Sequence, residues 1–319
     1  MPGISTTSLV AALGAFFRAN KNILVRDLYL DLVTNDWVVY DGIKDELPLP
    51  KLSIAELVKP GDNTTFSPTT NAITLGARTL KTRNWKVDLQ LDPAALEKTW
   101  LGFVQKKGAR QMNIPLEQFI IEDLIKRIKK DIRTKALYKG VYNGAGTATA
   151  DIVNGLLKLV VDELTAGNLT ATVTGAITSA NVVDKLLLTH DALGQEYKEV
   201  QTVMPVNSQI FDWYTRKFSP ILNANLIGTG DMPSSETLIN EMRLEGTNCI
   251  IRREVGLGTS QRLIVTIPEN RVFGVDSMDD YTNFEFQRFE RSIKVLVDGK
   301  LGVQLAQTDN GAIAVNDQV

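Results

Sequence analysis

The chain has one histidine, His190, and one cysteine, Cys249. Any Ser-His-Asp or Cys-His relay would have to run through His190. Asp191 follows it in "VVDKLLLTHDALG", and a His-Asp pair is a conceivable acid-base fragment. The stretch reads as a helix, and neighbours on a helix point in different directions. A structural histidine is therefore the better reading. Cys/His zinc sites are excluded by counting. No disulfide can close within the chain, and a lone thiol fits a reducing compartment. Cys249, beside Ile250 and Ile251, reads as a small buried hydrophobe. Asp279-Asp280 pairs two carboxylates in "DSMDDYTN", but a metal would need further oxygen ligands that the sequence does not mark. "NGAGTATAD" (143–151) and "GLGTS" (256–260) are glycine-rich, yet neither sits in a strand-GxGxxG-helix setting. No GxxxxGK[ST] loop is present. No catalytic residue, cofactor or metal is expected.

Two basic groups remain. Between 126 and 139, Lys126, Arg127, Lys129, Lys130, Arg133, Lys135 and Lys139 face a single acid, Asp131. Such a stripe attracts polyanions without reading sequence, although a solvated helix face is the plainer reading. Arg78, Lys81, Arg83 and Lys86 lie between two strand-like stretches. The whole chain carries a formal charge of only -2, so no global basic field advertises nucleic acid.

The elements that must position these residues are mixed. With 44% hydrophobic and 23% charged residues over 319 positions, there is material for a core and for two to three lobes. Leu9–Phe17 is apolar but lacks a basic segment before it, which argues against a signal peptide. It is too short to span a membrane and reads as an amphipathic or buried helix. "NDWVVYDG" (35–42) reads as a short strand. "ELPLPKLSIAELVKPGDNTT" (46–65) reads as extended, with one helical turn near 54–58. Residues 66–92 read as one long hairpin: Ile73, Leu75 and Ala77 alternate on its first strand, and Trp85, Val87, Leu89 and Leu91 on its second. Its tip would be Arg78, Lys81, Arg83 and Lys86. Asp92-Pro93 opens a helix to about 104.

The strongest helix is 115–139. Leu116, Ile120, Leu124, Ile128 and Ile132 form a stripe, basic residues crowd the C-terminal half, and Gly140 stops it. At about 1.5 Å per residue it is roughly 35 Å long. Asp151 is expected to cap a second amphipathic helix over 152–164, and Ser179 a third containing Val182, Leu186 and Leu193. A strand ending at Val203 and a helix capped near Asn207 follow. Residues 225–235 read as a loop. Strands are expected over 248–255, 262–268 and 271–276. In "RFERSIKVLVDGKLGVQLAQ" (288–307), Asp298-Gly299 interrupts two alternating runs, which predicts a two-residue hairpin turn there. The class is α+β.

This order resembles the major capsid protein of tailed bacteriophages, the Hong Kong 97-type fold. The resemblance is carried by 71–100 as extended loop and exit helix, 115–140 as spine helix, 202–218 as strand and helix, and 264–305 as the segment completing the peripheral sheet. It covers roughly 66–308 and rests on order and texture, with no invariant motif. It implies an N-terminal arm (1–65), an extended hairpin loop (66–92), a peripheral domain (93–150 and 266–319) and an axial domain (151–265). The apolar face of the 289–305 hairpin would pack on the spine stripe. The resemblance also implies a non-enzymatic shell subunit that assembles through pentamers and hexamers around double-stranded DNA. Arg78, Lys81, Arg83 and Lys86 would meet acidic surface on a neighbouring subunit. Lys126, Lys129, Lys130 and Arg133 would face DNA. With only a short stretch before the hairpin, a separate scaffolding protein and a portal are expected partners, with no membrane. The expected location is the virion capsid, assembled in host cytoplasm. Two alternatives stay open: an encapsulin-type shell with enzyme cargo, and a small α+β enzyme or ligand-binding domain using His190 or the glycine loops.

Overall fold

The computed structural model describes residues 6–30, 36–54, 73–92, 116–226, 240–276, 284–290, 292–309 and 311–318. The expected helix at 93–104, the loop at 225–235 and Asp279-Asp280 lie wholly or largely outside them.

The apolar start of the chain belongs to a helix, α1 (Thr6–Leu30). Leu9, Leu13 and Phe17 recur every four residues, and all three are buried. Phe17 stacks on Phe284 at 4.4 Å. The strongest sequence pattern also holds. Helix α2 (Leu116–Asp131) continues as a π-helical turn over Ile132–Leu137. Ile120, Ile121, Leu124, Ile125, Ile128 and Ile132 enter one core with Leu9, Leu13 and Phe17. Gly140 follows because a Cβ there would lie 2.3 Å from the Val153 carbonyl oxygen.

That core is closed by a five-stranded sheet made of β1 (Val38–Tyr40), β4 (Arg83–Leu91), β10 (Arg271–Val275), β11 (Phe284–Phe289) and β12 (Ser292–Leu305). Here the hairpin expected at Asp298-Gly299 is overturned. Residues 292–305 are one strand, with Asp298 paired to Lys86 and Gly299 to Trp85 on β4. The reason is parity. A turn at 298–299 would set Val297 opposite Lys300 and Val295 opposite Gly302, mixing the faces. In one continuous strand Ile293, Val295, Val297, Leu301, Val303 and Leu305 share a face, and all are buried against α2's core. The chain reverses instead at Glu290, whose φ is 51°, so that β11 pairs with β12.

The hairpin expected over 66–92 is also corrected. β3 (Ile73–Lys81) and β4 do not pair with each other. Only Thr82 separates them, too little chain for a reversal. Its N–H donates to the Asp45 carbonyl at 2.9 Å as the chain passes from one sheet to another. β3 pairs instead with β2 (Glu46–Ile54) from Glu46↔Lys81 to Ile54↔Ile73, forming a two-stranded arm. Leu49 and Leu80 root it on Ile43 and Val272.

A second, six-stranded sheet has the order β5-β13-β9-β6-β8-β7. Its strands are β5 (Ala171–Thr172), β6 (Thr202–Val206), β7 (Glu241–Arg243), β8 (Cys249–Arg253), β9 (Ile264–Thr266) and β13 (Ile313–Asn316). β13 thus leaves the sheet expected to hold 266–319 and pairs with β9 and β5. Helices α3 (Leu156–Thr165), α4 (Val182–Asp191) and α5 (Ser208–Leu226) complete the described helices that place functional candidates. Two expected caps differ. Asp151 accepts from the Ala148 N–H in a 3-10 turn, and Gly155 holds the cap position of α3, where a Cβ would meet Tyr138 backbone at 2.6 Å. α4 starts after Asn181 rather than at Ser179. The Asn207 cap is present: its side chain accepts from the Ile210 N–H at 2.7 Å.

Candidate functional site

The four basic residues expected at a hairpin tip lie at the root of the β2–β3 arm and along β4. The arm's reversal falls within 55–72, outside the described residues. Arg78 is held inside the chain: its guanidinium donates to Glu163 at 2.5 Å and to Thr308 at 2.9 Å. That contact keeps the Glu163 carboxyl below its ordinary value against the opposing effect of burial. Lys81 pairs with Glu46 at 2.7 Å across the arm. Arg83 lies over the Tyr142 ring at 4.1 Å. Lys86, 72% exposed, pairs with Asp88 on its own strand.

The basic stripe divides in a similar way. Lys126 and Lys130 are exposed on α2 and Lys129 is half-buried. Arg133 is turned inward, donating through Nε and Nη2 to the two Glu254 oxygens at 3.1 and 3.0 Å. Such a fork is a strong, directional contact, so Arg133 is spent inside the fold. Tyr138 adds a third donor to Glu254 at 3.2 Å.

Beside Glu254 lies a feature that the sequence reading missed. Asp36 (3% exposed) precedes β1 and meets two arginines. Arg252 of β8 (8% exposed) donates to one of its carboxylate oxygens, and Arg271 of β10 (0% exposed) pairs with the other. Arg252 also reaches Glu241 on β7 at 2.8 Å. Trp37 stands edge-on to Tyr138 at 6.0 Å, with the Arg271 guanidinium 5.7 Å above its ring. Arg133, Arg252 and Arg271 are thereby matched by Asp36, Glu241 and Glu254. The available signal was an arginine at each strand in "CIIRREV" and "RVFGVD", but their acidic partner is 216 residues from Arg252.

His190 is buried on α4, and among the described residues neither ring nitrogen has a hydrogen-bond partner. Its Nδ1 is 3.9 Å from Asp191, too far for a relay. Cys249 is fully buried, and burial pushes its thiol up to about 11. A thiol so held is a poor nucleophile. The 143–151 segment forms turns and a 3-10 turn, and the 256–260 segment also turns. Among the described residues no group of histidine, cysteine and carboxylate side chains is placed to hold a metal. No helix among them is long and apolar enough to cross a membrane.

The sequence matches no protein-family model and no curated protein. The fold, however, matches solved phage shells. One match is a chain of the satellite phage P4 procapsid that includes the size determination (Sid) protein. It shows 15% identity and a TM-score of 0.56, covering 99% of this chain and 91% of that one. Another is a chain of the capsid of Myoviridae phage XM1, at 14% identity and a TM-score of 0.50, covering 88% of this chain and 89% of that one. The resemblance read from the order of elements therefore holds for the fold: this is a mixed α+β chain with the fold of tailed-phage capsid proteins.

Proposed function

We propose that the chain is a major capsid protein, a non-enzymatic subunit that assembles through pentamers and hexamers into an icosahedral phage head around double-stranded DNA. The observation that carries this reading is the β2–β3 arm. Nine residues of each strand pair only with each other among the described residues, and beyond the root Pro48, Pro50, Gly76 and Ala77 are exposed. A two-stranded ladder is marginal in water and needs a further surface to pack on. A neighbouring copy supplies one, and repeated contacts of that head-to-tail kind close into rings.

In this reading the five-stranded sheet with α1 and α2 is the peripheral domain, and the six-stranded sheet with α4 and α5 is the axial domain, with α3 packed on β12 between them. Lys81 and Lys86, the more exposed of the four basic candidates, meet acidic surface on the neighbour. Such pairs set register more than affinity. Lys126 and Lys130 give non-specific contact with packaged DNA. A separate scaffolding protein and a portal act in assembly in the host cytoplasm.

The test is an arm-shortened variant, with residues 50–77 replaced by a short turn. We expect a folded subunit by circular dichroism that no longer forms rings or shells. Shells of wild-type size from this variant would refute the role given to the arm.

A further inference from the structure

We infer that Asp36 is a positioning residue that pins the two sheets of the subunit at one angle, and that this angle fixes the size of what the subunit builds. The second half of the inference rests on the shell reading above, whereas the first does not.

The geometry is specific. Arg252 belongs to the six-stranded sheet and Arg271 to the five-stranded one. Each guanidinium meets a different oxygen of the same carboxylate. All three side chains are buried, so the contact is poorly screened. Along the chain the two sheets are joined beside this contact by a short 3-10 turn, Pro268–Asn270, between β9 and β10, and a second time between β12 and β13. Short links of that kind fix the point of contact better than the angle between the sheets, and Asp36 ties the two sheets through side chains.

The carboxylate is not free to drift. It is carried on a segment fixed on both sides. β1 runs parallel to β10 from Val38↔Val272 to Tyr40↔Gly274, and Trp37 is wedged against Tyr138 at the end of the spine. Upstream, α1 packs on α2 and β11. Without Asp36 two buried arginines would face each other across the junction with only Glu241 remaining, on the β7 side of Arg252. Like charges in that setting repel, and beside the Arg133–Glu254 fork at the end of the spine the sheets would be held there mainly by apolar contacts. Those contacts are less directional than a shared carboxylate. Where many copies repeat one internal angle, a spread in that angle becomes a spread in curvature.

The test uses the full chain and three variants. Asp36→Asn removes the charge and keeps the shape. Asp36→Asn with Arg271→Met restores charge balance, because Arg252 keeps Glu241, but leaves the bridge absent. Val265→Ala, a cavity variant in the fully buried β9, loses stability without touching the bridge. Amide exchange on unassembled subunits reads the junction directly. We expect β8 and β10 to exchange at least tenfold faster in both Asp36 variants than in Val265→Ala. Electron microscopy reads the product: wild type and Val265→Ala should give one particle diameter, and both Asp36 variants a broad or shifted distribution.

If Asp36→Asn fails to fold, the double variant alone decides. Wild-type exchange at β8 and β10, or uniform particles of wild-type diameter from the double variant, would overturn the inference. If wild-type protein forms no particles, the shell reading fails, and the exchange comparison still judges the pin.

Discussion

Burial holds the His190 imidazole below the ordinary histidine value of 6.5, with Lys198 adding to the shift and Asp191 opposing it. The folded state thus favours the neutral ring, while the unfolded chain takes up a proton near 6.5. Below that pH the unfolded state binds more protons, so stability is lost as the pH falls through 6.5 towards the lower folded value. Urea titrations at pH 7.5 and 5.5 should show wild type losing more stability than His190→Gln; equal losses would contradict this. Gly140 is a second residue with a defined job. A Cβ there would strike the carbonyl oxygens of Val153 and Ala136 at 2.3 and 2.6 Å, and backbone cannot step aside cheaply. Gly140→Ala should cost about 1–3 kcal/mol, read as a lowered urea midpoint. Both residues were legible in the sequence, His190 as structural and Gly140 as the helix stop. Arg133 was legible only as a charge. Its partner Glu254 and the Asp36 bridge depend on pairings that no local pattern reports.

Among the described elements, the longer helices were legible and the strand partners were not. The stripe of α2 repeats at helical spacing from Ile120 through Ile132, and burial follows it. Asp298-Gly299 looks like a turn because the dipeptide suits one, yet all the large apolar residues from Ile293 to Leu305 except Leu296 keep the same parity. That parity outweighs the dipeptide, since the continuous strand buries one whole face. A substitution separates the two readings. Asp298 is exposed in mid-strand opposite Lys86, so Asp298→Thr should change stability by no more than about 0.5 kcal/mol. A hairpin would lose its turn residue and much more stability in the same urea measurement. The exchange of partners at β3 and β4 has the same origin. Both strands alternate clearly, but alternation gives a strand its faces and not its neighbour.

For the whole molecule, composition gave only a globular chain, and the order of parts carried the resemblance. Order survives at 15% identity because long-range packing of a helix on a sheet tolerates most substitutions that keep pattern and volume. What order could not supply was the placement of β13, which returns to the six-stranded sheet, or the charge network between the sheets. On the proposed reading, a subunit whose described arm strands pair only with each other completes itself by assembling. Negative-stain electron microscopy of the purified chain, with size-exclusion chromatography beside it, tests that claim most directly. Shells, or five- and six-fold rings, are expected, with little free subunit once the protein is concentrated. A single monodisperse species of 35.2 kDa at every concentration would contradict it.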